Sequence, residues 1–396
     1  MKPSSRYYRK PFLSKLSSMS EYRFQATLQF SLLLLATIVF LALPVSSAVS
    51  QRPEQPARRP GVRPAPGARV LPGRPPAKRA PGKAKGRPAG PQANARGEEL
   101  GPPAPETVVL ATSDAVKLTA TYFKPTTADG EKAKAIPFIL IHDWESDRTQ
   151  LLEYGAFLQS AGHAVIVPDL RGHGKSTAVE GLDRQIDAKN FRKKEIASMV
   201  KDIERCKKYL VKRNNEGEVN IDMLSVVAVG KSSVLAVEWV INDWFAFPPF
   251  DGNGTKQGQD VKSLILVSPR KKLKGLSLIA NWKDGLFTGA KDNGLPMMII
   301  WGSRDEDAAK DSESLYDLAK RSRPDPKKIE DPEKRKEATT LKGVPIRGNG
   351  NSSTGAQLMS QPEMKKLWEF TERFVSEKIE ANADSLPWKS RAKDDN

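Results

Sequence analysis

Residues 226–240 read Val-Val-Ala-Val-Gly-Lys-Ser-Ser-Val-Leu-Ala-Val-Glu-Trp-Val. A short apolar run ends at Gly230, Ser232 follows, and an apolar helical pattern begins. A strand, a sharp turn and a helix in this order can expose a serine hydroxyl at the end of a sheet. Such a hydroxyl attacks an acyl carbon, and it needs a base to take its proton. In chains of this layout an acid and then a histidine follow the serine. This chain has three histidines, His142, His163 and His173, and none lies beyond position 173. Ser232 therefore reads as a nucleophile position without a general base downstream.

The surrounding elements can be placed from pattern. Residues 116–125 alternate as a half-buried strand, whereas 137–141, 164–167, 224–229, 261–267 and 296–301 are continuous apolar runs of the kind covered on both faces. Helical periodicity is expected over 150–162, 194–213, 233–244, 308–320 and 363–380. Strands alternating with helices imply an α/β fold, a mostly parallel sheet with helices on both faces.

Four segments carry a family resemblance. Phe138-Ile139-Leu140-Ile141-His142-Asp143-Trp144 resembles a strand and turn that supply an oxyanion hole. Gly162 to Ser176, with Asp169-Leu170-Arg171-Gly172-His173-Gly174-Lys175-Ser176, resembles the next strand and its turn. Gly230-Lys231-Ser232-Ser233-Val234 resembles a nucleophile elbow. Pro296 to Asp305 resembles the strand and turn that present the acid. Together, in this order, they resemble the α/β-hydrolase fold over residues 106–380, nearest its bacterial serine esterase and peptidase branch.

The resemblance implies Ser232 as nucleophile, Asp305 as acid, and an oxyanion turn made by His142, Asp143, Trp144 and Ser233. The position where it expects the histidine is Thr354, ahead of the 363–380 helix. Threonine cannot accept the serine proton near neutral pH, and losing that transfer costs orders of magnitude in turnover. His142 and His173 fall where this fold carries structural histidines, and His163 starts a strand at the far end of the sheet, so rescue by any of them is disfavoured. Lys231 beside Ser232 is a weaker alternative base. Asp143 stands where glycine is usual, and its charge opposes an oxyanion. Val234 stands where the elbow usually has a small residue. Asp305 also has a plain reading as the cap of the helix after it. Only about 28 residues separate the strands ending at Val267 and starting at Pro296, so little or no lid domain is expected.

The rest of the chain is uneven. The net charge is +17, of which residues 1–50 hold +5, residues 51–105 hold +9 and the remainder +3. The basic balance thus belongs to the N-terminal tail and does not mark a nucleic-acid-binding fold. Residues 1–50 combine a basic stretch, an apolar run at 30–45 and small residues after it. That is the make-up of a cleavable signal peptide, with an uncleaved membrane anchor as the alternative. Residues 51–105 hold fourteen of the thirty prolines and read as a disordered linker. Their cations suit anionic membrane or wall polymers. With no interleaved aromatics they do not suggest a specific nucleic acid. Residues 381–396 read as a polar, frayed tail. The single cysteine, Cys206, lies in a helical pattern as a packing residue.

The sequence thus leads to an exported protein of the envelope or the medium, with a hydrolase-like scaffold, lost or impaired hydrolysis and a cleft that binds a small molecule or protein. One rival is a working serine ester or peptide hydrolase with an unusual base. The other is a polyanion-binding protein acting through its basic tail. No metal cluster, dinucleotide fingerprint or phosphate loop is visible, so no cofactor is expected.

Overall fold

In this computed structural model the described residues are 101–126, 135–246, 249–250, 256–280, 282–287, 294–321, 323–346, 355, 357–380 and 383–391. The signal or anchor segment, most of the basic linker, and Thr354 lie outside them.

Eight strands form one twisted sheet: β1 (Glu106–Ala111), β2 (Val116–Phe123), β3 (Pro137–Ile141), β4 (Ala164–Pro168), β5 (Leu224–Val229), β6 (Val261–Val267), β7 (Met297–Gly302) and β8 (Leu341–Ile346). Their spatial order is β1-β2-β4-β3-β5-β6-β7-β8, and the two-residue strand Ala178–Val179 adds to β2. Strand β2 runs antiparallel to both β1 and β4, and from β4 to β8 every pairing is parallel. The central registers include Ile139 opposite Val226, Val226 opposite Leu264 and Leu264 opposite Met297.

Helices α1 (Leu152–Ser160), α2 (Lys193–Ser198), α3 (Val200–Asn215), α4 (Ser233–Trp244), α5 (Glu306–Lys320), α6 (Pro332–Ala338) and α7 (Lys365–Glu380) complete the fold. The period of two along each strand feeds two cores. Ile139, Val226, Leu264 and Ile299 face one side, with Ile203, Cys206 and Leu210 of α3 and Val237 and Trp239 of α4. Phe138, Val227, Ile265 and Met298 face the other, with Tyr154 and Leu158 of α1 and Trp368, Phe374 and Val375 of α7. Continuous apolar runs were needed because both faces are covered. Cys206 is fully buried, and burial pushes its thiol pKa up, so it packs as a small apolar side chain.

Several elements differ from the pattern reading. The expected helix over 194–213 is two, α2 and α3, joined through buried Met199. Ser198 marks the break: its hydroxyl donates to the Glu195 carbonyl and accepts from Arg171, which competes with regular helix bonding. Strand β1 has no clear alternation because it is an edge, with Val109 66% exposed. Strand β8 carries Gly343 and Pro345, both tolerated at an edge. Gly343 is required there, since a Cβ would sit 2.9 Å from the Tyr316 ring of α5.

The end of the chain is not frayed through residue 391. Asn220 donates to the Leu386 carbonyl, Trp388 Nε1 to the Asn214 carbonyl, and the Arg391 guanidinium pairs with Asp260 and Asp222. Composition alone concealed this, because the anchoring comes from two side chains in an otherwise polar segment.

Candidate functional site

Strand β5 delivers the chain to the sheet's C-terminal end at Val229. Gly230 follows with φ +58°, and a 3₁₀ turn over Gly230–Ser232 leads into α4. The left-handed apex of this turn is therefore Gly230, not Ser232. Ser232 lies two residues further on at φ −68°, is 0% exposed, and its Oγ has no hydrogen-bond partner among the described residues. Ser232, the nucleophile position expected from the sequence, thus lies two positions beyond the apex. A sharp strand-to-helix turn needs a left-handed residue at its apex, and glycine takes that conformation with least strain. The small residues around it are Ala228 and Ser232. Val234 lies inside α4, buried in the core, so it does not occupy a close-packed position of the turn.

Asp143 fills the space above the apex. A Cβ built on Gly230 would meet the Asp143 carboxyl carbon and Oδ1 at 2.1 Å. Asp143 Oδ1 accepts from the Trp144 N–H at 2.7 Å and from the Lys231 N–H at 2.8 Å. One donor belongs to the turn after β3, and the other belongs to the residue directly after the apex. This is the donor arrangement of an oxyanion hole, with a side-chain carboxylate in place of a reacting oxygen. The Ser233 N–H, expected to contribute, instead closes the turn onto the Gly230 and Lys231 carbonyls. The Ser233 side chain is buried beneath it. Burial pushes the Asp143 carboxyl pKa up. The two N–H donors and the charges of Lys231 and Arg270 act against that rise.

His142 lies below this turn, fully buried. Its Nδ1–H donates to the Asp143 carbonyl at 2.7 Å and its Nε2 accepts from the Leu170 N–H at 3.0 Å. Both nitrogens are thus committed to holding two loops together, which leaves none for a substrate proton. His173 Nδ1 bonds the Arg171 carbonyl, and its ring meets those of His142 and Trp144 edge-on at 5.2 and 4.9 Å. His163 pairs with Glu372 at the start of β4, away from the turn.

Burial pushes His142 down from 6.5 to about 4 and lowers His173 as well. A depressed histidine contributes stability that is complete above the unfolded value. That stability is lost as pH falls through the folded value. Urea midpoints should therefore drop as pH falls from 6.5 towards 4, with His142 contributing to the loss. A His142→Asn variant should show a flatter pH slope over that window. An unchanged slope would show that His142 titrates normally.

Asp305 lies just after β7, where the sequence placed it. Its carboxylate caps α5 by accepting from the Ala308 N–H at 3.1 Å, and it sits 3.5 Å from Arg270 Nη1. It lines a cavity of about 410 Å³ together with Asp143, Trp144, Gly230 and Lys231. Gly355, next to Thr354, also lines it, with φ +50° and its N–H donating to Ser268 Oγ at 3.0 Å. The structure therefore brings Asp143, Trp144, Asp305 and the neighbour of Thr354 to one cleft, and leaves Ser232 and Ser233 out of it.

Three participants escaped the sequence reading: Gly230 as apex, Ser268 and Arg270. Ser268, directly after β6, has φ +46°, a strained conformation for a serine. The signal that could have found it is Ser-Pro directly after an apolar strand. Arg270 bonds the Gly230 carbonyl through its N–H, and its guanidinium reaches Asp305, Asp307 and Asp311. A small antiparallel pair, Lys272–Leu273 with Leu276–Ser277, and a single helical turn, Asp284–Phe287, are the described elements between β6 and β7. Among the described residues no group of three or more His, Cys, Asp or Glu could hold a metal ion.

No protein-family model matches the chain, and no curated protein matches it in sequence. Among solved structures it is similar to an esterase of Pyrococcus furiosus (16% identity, 69% of this chain and 91% of that one, TM-score 0.42). It is also similar to an esterase of Pyrobaculum calidifontis (12% identity, 72% and 88%, TM-score 0.46). A dienelactone hydrolase of Anabaena variabilis matches at 13% identity, over 68% and 96%, with TM-score 0.40. The sheet order, the strand–turn–helix at Gly230 and the paired donors at Trp144 and Lys231 are those of an α/β-hydrolase fold.

Proposed function

We propose that this protein is a non-hydrolytic member of the α/β-hydrolase fold whose cleft binds a ligand. The observation that carries the reading is the Asp143 carboxylate held by the Trp144 and Lys231 N–H groups above a glycine apex. Acyl transfer needs a nucleophile at the apex and a vacant hole for the developing oxyanion. Here the apex has no side chain, and the Asp143 carboxyl group already takes both N–H donors. The buried Ser232 cannot substitute, and His142 has no free nitrogen. The 410 Å³ cleft that remains falls within the size range of small-molecule sites.

The full-length protein is expected to show no labelling by a fluorophosphonate probe and no turnover of p-nitrophenyl acetate above a heat-denatured control. Labelling that disappears in Ser232→Ala would overturn the reading in favour of a serine hydrolase. We further propose export, supported by the basic and apolar pattern of residues 1–45. Among the described residues no helix is long and apolar enough to cross a membrane. Fractionation of cells expressing the full chain checks this: recovery only in the cytosol would refute it.

A further inference from the structure

Among the described residues six large apolar side chains are exposed, and the three aromatic ones, Phe245, Phe250 and Trp388, belong to one end of the sheet. Phe245 is 58% and Phe250 55% exposed. This is the end at which the parallel strands begin. Asp222 and Asp260 precede β5 and β6 there, whereas Gly230 and Ser268 of the cleft follow those strands. Bonds and packing tie the three aromatics into one region. Phe245 directly follows α4, and a Cβ on Gly258 would meet the Ala246 Cβ at 3.0 Å. Phe250 pairs with Lys256 in an antiparallel bridge. Lys256 shares Asp222 and Asp260 with Arg391, three residues beyond Trp388. Trp388 Nε1 donates to the Asn214 carbonyl near the end of α3.

The chain enters the domain at this same end. Gln159 Nε2, near the end of α1, donates to the Pro103 carbonyl and to the carbonyl of Lys124, which directly follows β2. Glu106, the first residue of β1, lies 3.6 Å from Arg213, the neighbour of Asn214. Residues 1–50 and 51–105, which lead in here, carry net charges of +5 and +9. Cations are drawn to an anionic membrane surface, and Phe and Trp favour the boundary between headgroups and acyl chains. A headgroup layer needs only charge and a few aromatic side chains, which is what this end supplies. A stable protein interface needs a larger apolar core than three separate rings.

We propose that this end of the domain is a membrane-docking face, which rests on an anionic lipid bilayer with Phe245, Phe250 and Trp388 at the headgroup level. Docking in this way turns the hydrolase-like cleft towards solvent. It is independent of what that cleft binds and of whether the cleft is catalytic.

The test places an environment-sensitive fluorophore on the full-length protein through Phe250→Cys or, as the control, Leu182→Cys. Cys206 is fully buried, so the label goes to the introduced thiol. Leu182 is exposed beside the Ala178–Val179 strand, which pairs with the start of β2 at the cleft end. Vesicles of equimolar phosphatidylcholine and phosphatidylserine should shift the emission of the label at 250 to the blue and leave that at 182 unchanged. Phosphatidylcholine alone should need at least tenfold more lipid for the same shift. A label introduced through Trp388→Cys should shift as well. Phe245→Asp with Phe250→Asp should raise the lipid needed for that shift at least tenfold. Phe245→Trp with Phe250→Trp should leave it unchanged, which separates loss of the aromatic rings from loss of fold. No shift at 250 would overturn the proposal, and with the protein co-sedimenting on the vesicles it would leave the face to a protein partner. Equal shifts at 250 and 182, equal response to phosphatidylcholine alone, or an undiminished response at 388 in the aspartate variant would each overturn it too.

Discussion

Gly230→Ser alone is expected to lower stability by about 3 kcal/mol, and Asp143→Gly in the same chain to recover most of that loss. The serine Cβ would fall 2.1 Å from the Asp143 carboxyl group, and it would also have to adopt φ +58°. Overpacking costs about 1–3 kcal/mol and the left-handed backbone about 1–2 kcal/mol. Only the first part is relieved when the aspartate is removed, so the two substitutions should be coupled rather than additive. Additive urea-denaturation energies in the double-mutant cycle would show that the carboxylate does not occupy the apex space. The double variant also vacates the Trp144 and Lys231 N–H groups. Adding Thr354→His, with the native Asp305 kept, should then create fluorophosphonate labelling that the wild type lacks. Omitting that histidine should reduce labelling by about 10²–10⁴-fold, the usual contribution of a general base. A folded triple variant that stays unlabelled would argue against Gly230 as a position from which a serine could act as nucleophile.

The second large effect is expected at Lys207 on α3. Its Nζ lies 2.5 Å from Asp243 Oδ1 and 2.8 Å from Asp260 Oδ2, and both carboxylates are fully buried. Asp260 and Asp222 are shared with Arg391 and Lys256, so three cations balance three anions in one buried group. The Asp260 N–H and Val261 N–H also bond Asp243, which ties α4 to the start of β6. Lys207→Met leaves two buried carboxylates short of a partner and should cost about 3–5 kcal/mol. Asp243→Asn added to Lys207→Met should recover part of that loss, because it removes a charge from the side left in excess. Thermal melts of Lys207→Met, Asp243→Asn and the pair check this. A loss under about 1 kcal/mol for Lys207→Met, the range of a solvated surface pair, would contradict the buried network. Arg391→Ala should also raise protease sensitivity after residue 386, since that guanidinium is one of the attachments of the terminal segment.

Much of the fold was legible because it is local. The runs at 137–141, 224–229 and 261–267 coincide with β3, β5 and β6, and 233–244 coincides with α4. A doubly covered parallel strand is uniformly apolar and a helix keeps its own period, so neither needs a partner to be recognised. Edge strands β1 and β8 were not legible. Their one-sided exposure blurs alternation, and Gly343 is explained only by the Tyr316 ring packed over it. The docked end of the chain was missed for a similar reason. Arg391 and Trp388 look like ordinary surface residues until Asp260 and Asn214 are brought to them from more than a hundred residues away.

The sequence by itself determined that a strand ends near residue 230 and turns into a helix, that Asp305 follows the later strand at 296–301, and that no histidine follows either. Those are statements of residue type and order, and composition suffices for them. Only the tertiary structure decided which residue stands at the apex. Two serines and one glycine compete within four positions, and the choice depends on which one the turn forces into the left-handed region. It also decided what Asp143 does. In the sequence it is a charge in an unsuitable place. In the fold, β3 and β5 lie side by side, so the turn after one strand meets the apex of the other. The carboxylate then accepts both N–H groups that an oxyanion would need.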